Sequence, residues 1–292
     1  MSLLLGAYTL LKTLLNLKLI ISCLAAVCLI SGCASSSTSL LVRLEDWQEI
    51  ELGQMAAELG EMNLVCIGEL HDQMSHHKTG LGIIRALHEA GFDLAIGMEM
   101  FTYDEQPVLD RWLDGRLDWP AMAAAYQRNW KQPVAMYEEI FLYAGRNGIP
   151  LLGFNVPKNI IGKVARQGFD GLTEFEKGNL PNDISCEEDL PQMVLLKEIL
   201  LSRGNSEEVF DHFCQSQSLR DKTMAWLAAG YLRQHPGRTV IVLAGIGHCL
   251  KQGMVAQLKD RSALRPVAIL PAVAEDVLGR DLTSEEADYL FY

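Results

Sequence analysis

The sequence predicts an α/β fold, a largely parallel sheet flanked by helices, and three observations predict it. Five short runs rich in Val, Ile and Leu recur along the chain, each suited to a strand buried on both faces. Helical patterns of ten or more residues separate most of them, an alternation typical of sheets covered by helices. The composition is globular, with 49% hydrophobic and 21% charged residues over 292 positions.

In chain order, "LVCIG" (64–68) is the first strand and 76–90 the first long helix. "LAIGME" (94–99) follows, then helices over 104–113 and 133–147, then "PLLGF" (150–154) and a helix over 156–167. No strand pattern falls in 170–235, which reads as a helical insertion with helices at 190–201 and 207–234. Its loop is "GNLPNDISCEEDLP", where Pro181 and Pro191 act as breakers. "TVIVLAG" (239–245) and "PVAIL" (266–270) complete the strand set.

The first 32 residues read as a signal peptide outside this fold. Lys12 and Lys18 precede the apolar "LIISCLAAVCLISGC", which closes on small residues. The end, Leu29-Ile30-Ser31-Gly32-Cys33, resembles the lipobox of bacterial lipoproteins, with Cys33 the residue to be acylated. A transmembrane anchor is the competing reading, and it needs about twenty apolar residues. By resemblance to Gram-negative lipoproteins, the absence of Asp after Cys33 implies the outer membrane, facing the periplasm. Residues 33–45 then form a flexible tether around "ASSSTS", and 46–292 the folded domain.

A net charge of −12 with no basic stripe excludes a nucleic-acid partner. Past Cys33 only Cys66, Cys186, Cys214 and Cys249 remain, without a CxxC pair, so a thiolate zinc site is not expected. Cys66 reads as a core residue of the first strand, and one disulfide among the four is allowed with its pairing open. GxSxG and Walker glycine motifs do not occur, which argues against serine hydrolases and P-loop NTPases.

Ligands of open α/β sheets bind beyond the carboxyl ends of the strands. There the sequence delivers Gly68-Glu69-Leu70-His71, Glu99, Asn155 and Gly245-Ile246-Gly247-His248. Glu69, His71, Glu99 and His248 together offer a divalent metal three or four donors, with Glu69 or Glu99 as candidate catalytic base. The bland alternative is that they hydrogen-bond one another and cap helices. His76 and His77 open a helix, where the dipole favours neutral imidazole, and face about 100° apart. His88 reads as structural. Tyr137 and Phe141 share a helix face that is core by default, while a tyrosine at its margin is able to ligate haem iron.

These residues resemble a known family. "IGELHDQMSHH", "IGMEMF" with Gln106 and "LDG", "GIPLLGFNVP", "SLRDKTMAW" and "LAGIGH" occur in the order seen in ChaN-type lipoproteins of the Tiki superfamily. The resemblance spans roughly 63–250 and implies haem binding as a dimer in haem or iron uptake, beside an outer-membrane haem receptor. It implies a tyrosine on iron, best matched by Tyr137, with His76 or His77 of the neighbouring subunit assisting. Met98, Met100, Phe101 and Met136 are the candidate slot, and Arg111, Arg128 or Lys131 the candidate partners of the haem carboxylates. The wider superfamily uses Gly-x-x-His motifs in metal-dependent hydrolases, and "GELH" and "GIGH" fit that pattern. One departure is that "GHCLKQGMVAQL" lacks the Gly-Ile-Pro associated with this region in relatives.

Overall fold

Continuous apolar runs leave a strand no solvent face, so the predicted strands should lie inside one sheet covered on both sides. The computed structural model, which describes residues 40–60, 62–258 and 264–292, has this arrangement. β1 (Leu41–Arg43), β2 (Gln48–Ile50), β3 (Leu64–Glu69), β4 (Leu94–Thr102), β5 (Leu151–Asn155), β6 (Thr239–Gly245), β7 (Pro266–Pro271) and β8 (Tyr289–Phe291) form one sheet. Its order is β2-β1-β8-β7-β3-β6-β4-β5. From β8 to β5 all neighbours are parallel, whereas β1 runs antiparallel to both β2 and β8.

The helices are α1 (Leu52–Glu58), α2 (Met74–Glu89), α3 (Gln106–Leu113), α4 (Trp119–Asn129), α5 (Glu138–Asn147) and α6 (Lys158–Gln167). α7 (Glu174–Lys177), α8 (Pro191–Ser202), α9 (Glu207–Gln234), α10 (Ile246–Cys249) and α11 (Val273–Leu278) complete them. Alternation along β3 divides the core: Val65 and Ile67 join Ile84, Leu87, Tyr137 and Phe141 on one face. Leu64 and Cys66 join Met224, Ala228 and Leu250 on the other. The expected helical insertion of 170–235 consists of α7, α8 and α9, the last 28 residues long.

Several expectations need correction. The tether reading of 33–45 overran the fold: Leu41–Arg43 is a strand, and Leu41 is wholly buried. Three residues are too few for an alternating pattern to register. α1 and α4 were not foreseen. Two disulfides are formed rather than one, Cys66–Cys249 and Cys186–Cys214. Cys66 is a fully buried core residue and also a crosslinked one. The first bridge ties β3 to α10, the elements that carry Glu69 and His248. The signal segment and Cys33 lie outside the described residues.

β6 lies between β3 and β4, and this places the site. Glu69 is in register with Gly245, and Met98 with Leu243. Glu99 therefore emerges beside the end of β6, across it from Glu69. Gly153 is needed because a Cβ there would lie 2.5 Å from the carbonyl oxygen of Thr102. Gln106 secures the same edge, donating to Leu151 O at 2.9 Å and accepting from Gly153 N at 2.9 Å.

Candidate functional site

At the carboxyl ends of β3, β4 and β6, the turn-borne acids and imidazoles share one cluster. Glu69 is buried and holds three partners. His77 Nδ1 lies 3.0 Å from Oε2, His71 Nδ1 lies 3.1 Å from Oε1, and the Tyr137 hydroxyl donates to Oε1. Burial alone would raise its pKa, but His71 and His77 outweigh that and hold it below the usual carboxylate range.

Glu99, also buried, accepts from Gly245 N at 2.9 Å and from Arg220 Nη1 at 3.2 Å. His71 Nε2 and His248 Nε2 each face it at 3.5 Å. Burial opposes ionisation, yet His248, His71 and Arg220 together bring the Glu99 pKa down to about 2. His248 Nδ1 meets Asp221 Oδ1 at 2.7 Å. Burial lowers the His248 pKa, and Asp221 and Glu99 more than restore it, so the imidazole is held above its ordinary value. His71 is raised likewise, with burial opposed by Glu69 and Glu99.

Glycine at 245 serves this geometry, since a Cβ there would lie 3.1 Å from His71 Nε2. α9 brings Arg220 and Asp221 into the site from the helical insertion. Both stand in the "SLRDKTMAW" block, but their roles were not read from the sequence. A charged pair inside a long helix reads as solvated, and only the packing of α9 on the sheet shows that it faces inward.

The expected metal set is thus assembled, but its members are committed to one another. Arg220 is already on Glu99 and Asp221 on His248. Among the described residues, the trio whose donor atoms come within 4.8 Å of one another is Cys186, Glu188 and Asp211. Cys186 offers no thiolate there, because it is in a disulfide.

Tyr137 lies inside the chain, against Glu69. It is 0% exposed, its ring packs 4.3 Å from that of His77, and its hydroxyl is spent on Glu69. Burial, then the Glu69 charge, pushes its pKa far above that of an ordinary phenol. His77 is 2% exposed, with Nε2 on His71 O at 3.3 Å. His76 is half-buried, accepts from Leu70 N at 3.0 Å and packs edge-on against Phe291. Met98 and Phe101 are core, and Arg111 lies exposed on α3. Met100 and Lys131 instead line a cleft of about 420 Å³ beside the cluster. Glu99, Trp130, Asn155, Val156, Lys158, Ile161 and Arg220 also border it. His71 adjoins the cleft through Trp130, their rings 4.9 Å apart edge to face. Its side chain is 22% exposed.

A doubly covered sheet with a polar cluster at its central strand ends defines an α/β protein with a buried acid–imidazole site beside a ligand-sized cleft. Over residues 55–258 the sequence matches the family described as "Haem-binding uptake, Tiki superfamily, ChaN", and the chain belongs to that haem-binding family. Its fold is that of the ChaN protein of Campylobacter jejuni described under "Cofacial heme binding". The TM-score is 0.69 at 20% identity, over 88% of this chain and 97% of that one. An erythromycin esterase in its open conformation is a more distant likeness, with a TM-score of 0.48 at 14% identity over 80% and 76% of the two chains. The chain is 29% identical over 102 residues to Protein RETICULATA-RELATED 5, chloroplastic, from Arabidopsis thaliana. That match spans 33% of this chain and 14% of the plant protein.

Proposed function

We propose that this protein binds haem at the cleft bordered by Trp130, with His71 rather than Tyr137 presented to the iron. The observation that carries the proposal is the state of His71. Its Nδ1 is anchored on Glu69 at 3.1 Å, and it is the partly exposed imidazole adjoining the cleft. A carboxylate on Nδ1 orients the ring, and Nε2, which faces Glu99 at 3.5 Å, would give up its proton to take a metal. Tyr137 and His77 then act as supports, orienting the Glu69 that orients His71.

The donor set and the walls fit a porphyrin. Ile161 and Trp130 supply apolar surface over the buried Met100 and Val156, and Lys131, Lys158 and Arg220 supply cations. Haem would contribute an iron centre and two carboxylates. The protein's own work is to orient the His71 imidazole through Glu69, exclude water with Trp130, and hold Glu69 ionised.

The setting proposed is a lipid anchor at Cys33 in an outer membrane, with haems shared face to face by two copies in iron uptake beside a haem receptor. Two disulfides suit an oxidising compartment. The family description supports uptake, and the cofacial arrangement described for the Campylobacter protein supports pairing. Titration of the purified protein with haemin tests the core of this. A saturable Soret shift at one haem per chain, with a rise in molecular mass to the dimer, is expected. Haemin that stays in its free spectrum at stoichiometric protein overturns it.

A further inference from the structure

We propose that the cleft is a carboxylate-binding subsite in which Trp130 and Arg220 receive the carboxylate of a ligand with an apolar body. Trp130 Nε1 and Arg220 Nε are buried, and neither has a hydrogen-bond partner among the described residues. Both residues line the cleft. An indole N–H and a guanidinium N–H can only donate, so what completes them must be an acceptor. Burying such a donor unmet is costly, and most buried polar groups in folded proteins are paired.

Charge selects among acceptors. Lys131, Lys158 and Arg220 border the cleft, and the carboxylate on its wall is Glu99. Glu99 is already engaged by Arg220, His71, His248 and the Gly245 N–H. The cleft is therefore locally cationic in a chain of net charge −12. A neutral carbonyl would satisfy the two N–H groups but not this excess, whereas a carboxylate does both, and arginine suits it geometrically. Ile161 and the Trp130 ring, with Met100 and Val156 packed behind them, suit an apolar body attached to the anion.

Two sources share that chemistry, a porphyrin propionate and a free organic acid. The inference rests on the haem reading only for the first source. The test titrates haemin and haemin dimethyl ester by absorbance, and 4-phenylbutyrate by calorimetry, into the wild type, Trp130→Phe and Lys131→Ala. Removing a donor to a charged acceptor should weaken binding about 10- to 100-fold in Trp130→Phe. Lys131→Ala, a change at the cleft mouth, should weaken it less and in a salt-dependent way.

Haemin bound more tightly than its ester, with the preference lost in Trp130→Phe, identifies the propionate. 4-Phenylbutyrate bound by the wild type and weakened in Trp130→Phe identifies the free acid. Ester and haemin bound equally, with no 4-phenylbutyrate binding, overturns the subsite while leaving haem binding intact. A carboxylate preference that both variants retain overturns it as well. If haemin does not bind at all, the haem reading fails and the 4-phenylbutyrate arm still decides this one.

Discussion

Tyr137→Phe separates a supporting phenol from an iron ligand. The substitution keeps the ring that packs on His77 and Phe141's cluster and removes one O–H, so no cavity is created. What is lost is a hydrogen bond to the ionised Glu69, which keeps His71 at 3.1 Å and His77 at 3.0 Å. Water cannot replace the phenol, because Tyr137 and Glu69 are both buried. A hydrogen bond to a charged group contributes about 1.5–3 kcal/mol, or a 10- to 100-fold change in the unfolding constant. Equilibrium urea unfolding should therefore show a lowered midpoint at an unchanged slope, and haemin should still produce the wild-type Soret position. Unchanged stability together with a lost Soret shift would refute the reasoning, since the phenol would then be serving iron and not Glu69.

Other consequences can be measured with the same tools. Glu99, brought down from 4.5 to about 2, stabilises the fold fully above about pH 4.5 and loses that contribution as pH falls toward 2. His71 and His248, raised above 6.5, contribute fully below about pH 6.5 and lose their share as pH rises through their folded values. Urea midpoints against pH should decline on both sides, and Glu99→Gln should flatten both limbs while costing about 3–5 kcal/mol at neutral pH by stranding Arg220. Gly245→Ala puts a Cβ 3.1 Å from His71 Nε2 and should weaken haemin binding about tenfold with a stability loss of under about 1.5 kcal/mol. An unchanged haemin titration would detach His71 from the ligand. Cys186→Ser with Cys214→Ser opens a loop with a sequence separation of 28 and should cost about 3–4 kcal/mol in chemical unfolding, with no shift in the bound spectrum.

The parallel core was legible because strands covered on both faces show as uninterrupted Val, Ile and Leu, as in "TVIVLAG". The convergence of the candidate residues was legible too, since Glu69, Glu99 and His248 all follow such runs and strand ends converge in this architecture. β1, β2 and β8 escaped because three residues carry no periodicity. Tyr137 shows the limit of helical spacing. The i, i+4 pairing with Phe141 gave the core face, but its hydroxyl meets an acid 68 residues away, which spacing along the chain does not encode. Arg220 and Asp221 were hidden for the opposite reason, as charges on a helix whose inward face is set by tertiary packing alone. Disulfide partners escape in the same way, since four cysteines admit three connectivities and only the packing of α10 on β3 and of the α7–α8 loop on α9 selects one.

The axial ligand of the loaded protein is the most direct measurement. Resonance Raman spectra of the haemin complex, recorded for the wild type, His71→Ala and Tyr137→Phe, should show iron–imidazole ligation that disappears in His71→Ala and persists in Tyr137→Phe. An iron–phenolate mode that vanishes in Tyr137→Phe and survives in His71→Ala would contradict the account.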